Sequence, residues 1–480
     1  MTAAAPALPG ILEGIRPRPR WRELRLLTIA SAAILAGSVS LQLARTEPEL
    51  GIAKGLSPAE PFHLLVYLGV LLAVHIAQVL TGRRTDQVLL PAVGLLGGIS
   101  LLLMERLPQD LVVQHFFDAD LGLADVQLVW LCLSLVLAGS LAIVVRSDRW
   151  LRLYKYTWAA AGVALLLLTF VLGTEVNGQR LTLSFGPVSG QPSELLKVIL
   201  VVFLAGYLSE NRPLLVEEST RLGPFAIPPL PYLAPMAAMW AIALGIVVVQ
   251  RDLGAALLFF AVFLLLTYAA TGRISYVVLG IILFLFGAFV MYQLLPHVRL
   301  RVDVWIDPFE TPQTSGYQII HALYAFGRGG LLGTGFGAGL PTIGGGQPGG
   351  IPEVHTDFPF AALGEELGLI GVLAILGVYL VVIERGLRIA ASAGDDFRSL
   401  LAAGLALVIG VQAFIIAAGN LKLIPLTGIT LPFISYGGSS LLVNGIVVGL
   451  LLALSDKGVE PPPPPKPPGR MRRLARRVGA

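Results

Sequence analysis

The stretch from Pro352 to Gly368 reads PEVHTDFPFAALGEELG and brings Glu353, His355, Asp357, Glu365 and Glu366 to the mouth and first turns of an apolar segment. A charge at the centre of a bilayer costs roughly 2.5–3.5 kcal/mol on insertion scales, so ionisable groups in such a setting are functional candidates. Carboxylates beside a histidine suit general acid–base work. Asp357 also stands where an aspartate caps a helix and meets its dipole, but five ionisable groups exceed what one cap needs. The His355-x-Asp357 pair is a weak metal signal on its own. A second cluster holds Arg180, then Gln191, Ser193, Glu194 and Lys197. Glu194 and Lys197 are three apart and share a helix face; a local ion pair neutralising two costly groups is the plain alternative. A third is Gln250-Arg251-Asp252, a turn of almost no length, for which a polar hairpin tip is the plain reading. The fourth joins Pro425–Gly428 to Leu431–Ser440, with Ser435, Tyr436 and Ser439. Its glycines and serines suit either a broken helix or close helix packing.

These groups need elements to carry them. The chain has 480 residues, 55% hydrophobic and 13% charged, against about 25% charged in soluble domains. That balance predicts an all-α, polytopic membrane protein. Lipid leaves unpaired backbone groups without partners, so continuous apolar runs are read as helices, and they lack the alternation of a barrel. Twelve runs reach spanning length, near 26–44, 62–81, 88–105, 126–146, 156–173, 194–209, 226–248, 252–271, 275–295, 358–383, 401–419 and 430–454. Basic residues fall on one side of this count: the N-terminal tail, Arg83–Arg84, Arg149 and Arg152, Arg273, Arg385, Arg388 and Arg398, and the C-terminal arginines. The positive-inside rule then sets both termini in the cytoplasm. All four clusters map to the outer face.

The expected organisation is a basic tail over 1–25, N-terminal spans over 26–150, a membrane core over 151–455, and a disordered Pro/Arg-rich tail over 456–480. A large extracytoplasmic loop, 296–357, precedes the tenth helix. Within it Tyr317–Phe326 is expected as a short amphipathic helix on the membrane surface, and the glycines from Gly327 to Gly350 permit close backbone approach. The lone Cys132 excludes an intrachain disulfide, and no basic patch supports nucleic-acid binding.

The ordered combination NGQR…QPSELLK, QRDLGAA, VWIDPF…GYQIIHALYAFGRGGLLGTG, IPEVHTDFPFAALGEELGLIG and PLTGITLPFISYGGSSLL resembles the SEDS family (shape, elongation, division and sporulation proteins such as RodA, FtsW and SpoVE), over roughly 156–455. The chain is most similar to twelve-span RodA-like members, with two extra N-terminal helices. It departs from the family at Leu181, near a usual Trp, and at Arg251, where many members have Pro. The resemblance implies a peptidoglycan glycosyltransferase that polymerises lipid II at the outer face of the bacterial membrane, in elongation or division. It maps the family's essential acid onto Asp357 and implies a class B penicillin-binding protein as partner. With it go contacts to other elongation or division machinery.

On that reading Asp357 is the catalytic base. Arg180 and Lys197 are the residues expected to meet diphosphate. Gln191, Ser193, Glu194, Asp252, Glu353, His355, Ser435, Tyr436 and Ser439 complete the expected substrate-binding set. A divalent cation (Mg or Mn) held by Glu194, Asp252 or Glu353 is an open expectation. The alternatives are a lipid II flippase and a non-catalytic scaffold for the penicillin-binding protein. A flippase needs a polar path through the midplane, whereas the cytoplasmic half of each span reads as bland.

Overall fold

The computed structural model describes residues 17–44, 60–116, 119–176, 179–185, 188–217, 220–222, 225–227, 251–339 and 350–456, with isolated positions between 238 and 248. Thirteen helices of ten residues or more carry the described architecture: α1 (Trp21–Ala44), α2 (Glu60–Leu80), α3 (Leu89–Arg106), α4 (Leu123–Val144), α5 (Lys155–Leu172), α6 (Pro192–Glu217), α7 (Leu253–Thr271), α8 (Ile274–Leu294), α9 (Pro296–Ile306), α10 (Tyr317–Gly329), α11 (Pro359–Ala391), α12 (Asp396–Asn420) and α13 (Gly438–Leu454). Among the described residues ten are long and apolar enough to cross a membrane, and α13 is a shorter apolar helix. Most of the expected span at 226–248, and the tails 1–16 and 457–480, lie outside the described residues.

The bundle is helical, as its apolar runs require, but its connections are not all helical. Short antiparallel ribbons pair Gln114–Phe116 with Ala119–Leu121, Thr174–Val176 with Gln179–Phe185 and Val188–Gly190, and Thr220–Leu222 with Phe225–Ile227. They occur in connections, where both edges need not be dry. Helices α6, α12, α3 and α13 form the interior, where small residues let backbones approach. A β-carbon on Gly445 would lie 2.7 Å from the Ser134 carbonyl, and one on Gly386 would lie 2.4 Å from the Ala406 β-carbon.

Three sequence expectations change. First, α1 begins at Trp21, ahead of the expected 26, because Glu23 is buried and ion-paired to Arg20. Second, 430–454 is helical only from Gly438; Leu431–Tyr436 is a turn, with Ser435 Oγ accepting from Leu431 N at 2.8 Å. Third, α11 breaks at Gly368 (φ 66°), giving a half-helix Pro359–Leu367 buried on nearly every side. The backbone groups freed by the break are paired with the glycine-rich loop. Thr334 N and Gly335 N donate to the Glu365 and Glu366 carbonyls at 3.0 Å each, and Leu369 N donates to Gly330 O at 2.9 Å. This satisfies the rule that irregular backbone at membrane depth must be buried in protein. Only glycine fits here: a β-carbon on Gly333 would lie 2.2 Å from Glu366 O.

The amphipathic helix expected at Tyr317–Phe326 exists as α10, but it docks into the protein. Ile319, Ile320, Ala322 and Ala325 face inward, Phe326 meets Phe360 edge to face at 6.0 Å, and Gly329 abuts Gly364. The buried half-helix offers that apolar surface, which the sequence does not reveal.

Candidate active site

Asp357 sits on a turn built by Glu353. Glu353 has φ 51°, a left-handed conformation uncommon for a side chain larger than glycine, and its carbonyl accepts from the amides of Thr356, Asp357 and Phe358 at 3.2, 2.9 and 3.3 Å. The Asp357 carbonyl is held in turn by Asn420 Nδ2 at 2.9 Å, from the end of α12. The residue capping α11 is Phe358, without a side-chain cap bond; Asp357 is therefore not the helix cap, and its carboxylate is left for other work. Burial, then the Glu353 charge, push its carboxyl up to about 6, against the pull of Arg301. Such a value lies close to the range of an effective general base at neutral pH.

Arg301, on α9, lies between two acids. Its Nη1 donates to the carbonyls of Leu426 and Thr427 at 3.3 and 3.0 Å, and its charge is felt by both Asp357 and Asp252. Burial lowers its pKa while both carboxylates raise it. A β-carbon on Gly428 (φ 72°) would lie 4.0 Å from Asp357 Oδ2, so the 425–430 loop passes against the carboxylate.

The second and third sequence clusters join below this point. Asp252 caps α7 through Ala255 N at 2.9 Å, and its other oxygen lies 3.3 Å from both Gln191 Nε2 and Ser193 Oγ. Gln191 N donates to Ser439 Oγ at 3.0 Å, tying α6 to α13. Pro192 opens α6, where its missing N–H costs nothing. A small cavity lies among Gln191, Glu194, Asp252, Gln412 and Gly428.

Lys197 is a correction. It is 1% exposed, and its ammonium spends its donors on Glu194 (2.6 Å), Gln412 (2.9 Å) and Asn444 (3.1 Å). No donor is left over for a diphosphate in this arrangement; Lys197 instead ties α6, α12 and α13 together. The side chain of Arg180 lies outside the described residues, while its backbone is in the ribbon Gln179–Phe185. His355 stands beside the site, its carbonyl accepting from Tyr436 N at 2.7 Å and its ring 5.7 Å from that of Tyr436. Burial lowers its pKa, and Nδ1 is buried without a partner. Ser435 holds its own turn, and Ser439 holds Gln191. Glu365 and Glu366 are structural: Glu365 pairs with Arg328 at 2.9 Å, and Glu366 accepts from Gly337 N at 3.1 Å.

Lys197 donates to one Glu194 oxygen, both Asp252 oxygens accept from internal donors, and exposed Glu353 accepts from Thr356 Oγ1 at 3.2 Å. Among the described residues no three His, Cys, Asp or Glu side chains gather as a metal site.

Arg301, Gln412, Asn420 and Asn444 were not singled out from the sequence. The signal for the last three was present: lone amides inside apolar runs. The other end of the bundle also differs from expectation. It carries buried ion pairs, Glu23 with Arg20 and with His75 (2.6 Å), Arg83 with Asp456 (2.8 Å), and Arg385 with Asp86. It is not bland.

The chain is similar to known proteins over most of its length. A family model described as cell cycle protein, FTSW_RODA_SPOVE, matches residues 62–459. The peptidoglycan glycosyltransferase RodA of Mycobacterium tuberculosis is 37% identical over 448 residues, 93% of this chain and 92% of that one. A probable peptidoglycan glycosyltransferase FtsW of Geobacter metallireducens is 36% identical over 295 residues, 61% of this chain and 74% of that one. A solved structure on the coordination of polymerization and crosslinking by a peptidoglycan synthase complex matches with TM-score 0.61 and 27% identity, covering 78% of this chain and 98% of that one. The Thermus thermophilus rod shape determining protein RodA matches with TM-score 0.54 and 27% identity, covering 78% and 97%.

Proposed function

This chain belongs to the FtsW/RodA/SpoVE family and is a peptidoglycan glycosyltransferase, and from that premise we propose that it polymerises lipid II with Asp357 as general base. The observation that carries the reading is the Asp357 carboxylate: free of capping duty, held by its backbone, raised to about 6 and set near the half-buried Arg301. Asp357 takes the proton of the acceptor's GlcNAc 4-hydroxyl. That oxygen attacks the anomeric carbon of the donor from the face opposite its diphosphate. The C–O bond to diphosphate breaks with inversion, giving a β-1,4 linkage and undecaprenyl diphosphate. One base with no paired nucleophile suits a single displacement.

Arg301 has two tasks. It keeps Asp357 ionised at neutral pH, and its guanidinium offers charge to the leaving diphosphate, which bidentate arginine contacts stabilise. Arg180, on the neighbouring ribbon, is the second candidate for that contact. Gln191, Ser193 and Asp252 form a polar wall beneath, and His355, Tyr436 and Glu353 line the approach. No step is routed through a cation. The site faces the extracytoplasmic side, with both termini in the cytoplasm, and the chain works with a class B penicillin-binding protein.

Purified protein, with that partner, is incubated with lipid II in detergent and the product is resolved on a gel. Glycan strands from wild type and none from Asp357→Asn support the assignment. A polymerising Asp357→Asn variant removes Asp357 as the base.

A further inference from the structure

The end of the bundle opposite Asp357 carries an open cavity of about 560 Å³. Four arginines line it: Arg22 from α1, Arg84 from the α2–α3 connection, and Arg385 and Arg388 from α11. Asp86 is the acid on its wall. Asp86 is consumed by Arg385, and Arg388 pairs with Glu384 one turn away. Arg84 meets an acid only through its backbone, its N–H donating to Asp456 Oδ1 at 3.2 Å; among the described residues neither the Arg22 nor the Arg84 guanidinium is in an ion pair, and both residues are exposed.

The wall is rigid. Arg20 donates to the Thr85 and Asp86 carbonyls at 3.3 and 3.0 Å, and Asp86 Oδ1 accepts from Val88 N at 2.8 Å. Asp86 N donates to Ser455 Oγ at 2.8 Å. Such fixation is unnecessary for a solvated patch, and it holds the cationic rim in place before any anion arrives.

The helices around the cavity are arranged as a cleft. Both α1 and α11 pack on α3, yet they scarcely touch each other. Each carries exposed apolar side chains along its length, Ile29 and Leu35 on α1 and Leu373 and Leu380 on α11. Trp21, 65% exposed, stands at the head of α1, at the depth where indoles favour the headgroup region. A guanidinium pair without acid ion pairs, in a cavity whose wall also holds Val88, Ile389 and Ala391, at the end of helices with exposed apolar side chains, matches a phosphate diester carrying acyl chains. It does not match a free anion, which has no use for the cleft. Basic pockets between spans at this level are a recognised physical setting for anionic headgroups. Helix α1, which carries Arg22, lies ahead of the residues 62–459 that the family model matches.

We propose that this cleft binds one anionic phospholipid, with its headgroup phosphate between Arg22 and Arg84. The first helix thereby acts as a lipid-binding element at the end of the molecule away from the chemistry.

The test uses the full-length protein in phosphatidylcholine nanodiscs with and without phosphatidylglycerol. Lipid retention is read by native mass spectrometry after ejection. Wild type should retain phosphatidylglycerol over phosphatidylcholine. The Arg22→Gln/Arg84→Gln variant should bind it roughly thirty-fold more weakly, at the weight of one basic residue each. Arg22→Lys/Arg84→Lys should keep most of it, and Arg149→Gln/Arg152→Gln, on the same side by sequence, should match wild type. Unchanged retention in the glutamine variant overturns the proposal, as does equal retention of phosphatidylcholine. Full displacement by millimolar inorganic phosphate overturns the lipid in favour of a free-anion site. If the glutamine variant fails to fold, the lysine variant carries the test: loss of retention there, with the charge preserved, overturns it.

Discussion

Removing the charge of Arg301 should move the acid limb of the activity profile. Both groups meet the Leu426–Gly428 loop: Arg301 Nη1 is 3.0 Å from the Thr427 carbonyl, and a β-carbon on Gly428 would be 4.0 Å from Asp357 Oδ2. A separation of roughly 8 Å at an effective dielectric constant of about 20 gives about 2 kcal/mol, or about 1.5 pH units. Water in the partly open site trims this to about one unit. The sign follows from the charges. Arg301 favours the ionised carboxylate, so its loss raises the Asp357 pKa above its present value of about 6. The Arg301→Gln variant therefore needs a higher pH to hold its base ionised. Initial rates of lipid II polymerisation, measured in detergent from pH 5 to 9, should show the acid limb near 6 in wild type and near 7 in the variant. Arg301→Lys, which restores a charge, should return the limb toward 6. The plateau above pH 8 reads Arg301's second task, since a lower plateau there reflects lost stabilisation of diphosphate. An acid limb that stays put in Arg301→Gln, or moves downward, refutes the coupling between Arg301 and the base.

Other consequences follow from the same geometry. Asp357→Asn should lower the polymerisation rate by about 10²–10⁴-fold. Because the folded pKa of Asp357 is raised, its contribution to stability is full below about 4 and lost as pH rises through about 6, so the asparagine variant should melt higher than wild type at pH 8, by on the order of 2–3 kcal/mol; a lower melting temperature there would contradict the burial argument. Lys197→Met strands Glu194, Gln412 and Asn444 in the interior and should cost roughly 3–5 kcal/mol, seen as lost thermal stability in detergent, whereas a variant that melts normally but loses substrate affinity would return Lys197 to the diphosphate. Gly329→Ala sets a β-carbon 2.1 Å from the Gly364 carbonyl and should push α10 off the half-helix, with faster proteolysis of the 330–339 loop as the readout.

Much was legible in the sequence because membrane chemistry is severe. Apolar runs of spanning length had to be helices, since lipid offers the backbone no partner. Ionisable groups had to mark sites, since lipid charges heavily for them, and Asp357, Asp252, Glu194 and the 425–440 segment did converge on one end. Pro192 opened its helix as its missing N–H requires. What the sequence could not decide was which neighbour each polar group meets. Lys197 reads as a ligand for diphosphate until Gln412 and Asn444, some two hundred residues on, take its donors. Arg301 reads as one arginine of an outer loop until folding sets it near Asp357 and Asp252. The break at Gly368 is silent in the sequence because its cost is met by Thr334, Gly335 and Gly330, groups of another segment. Periodicity and transfer free energy are properties of a residue and its chain neighbours. Partnership, burial and the pKa of a carboxylate belong to the space that other helices enclose, and only the tertiary structure sets them.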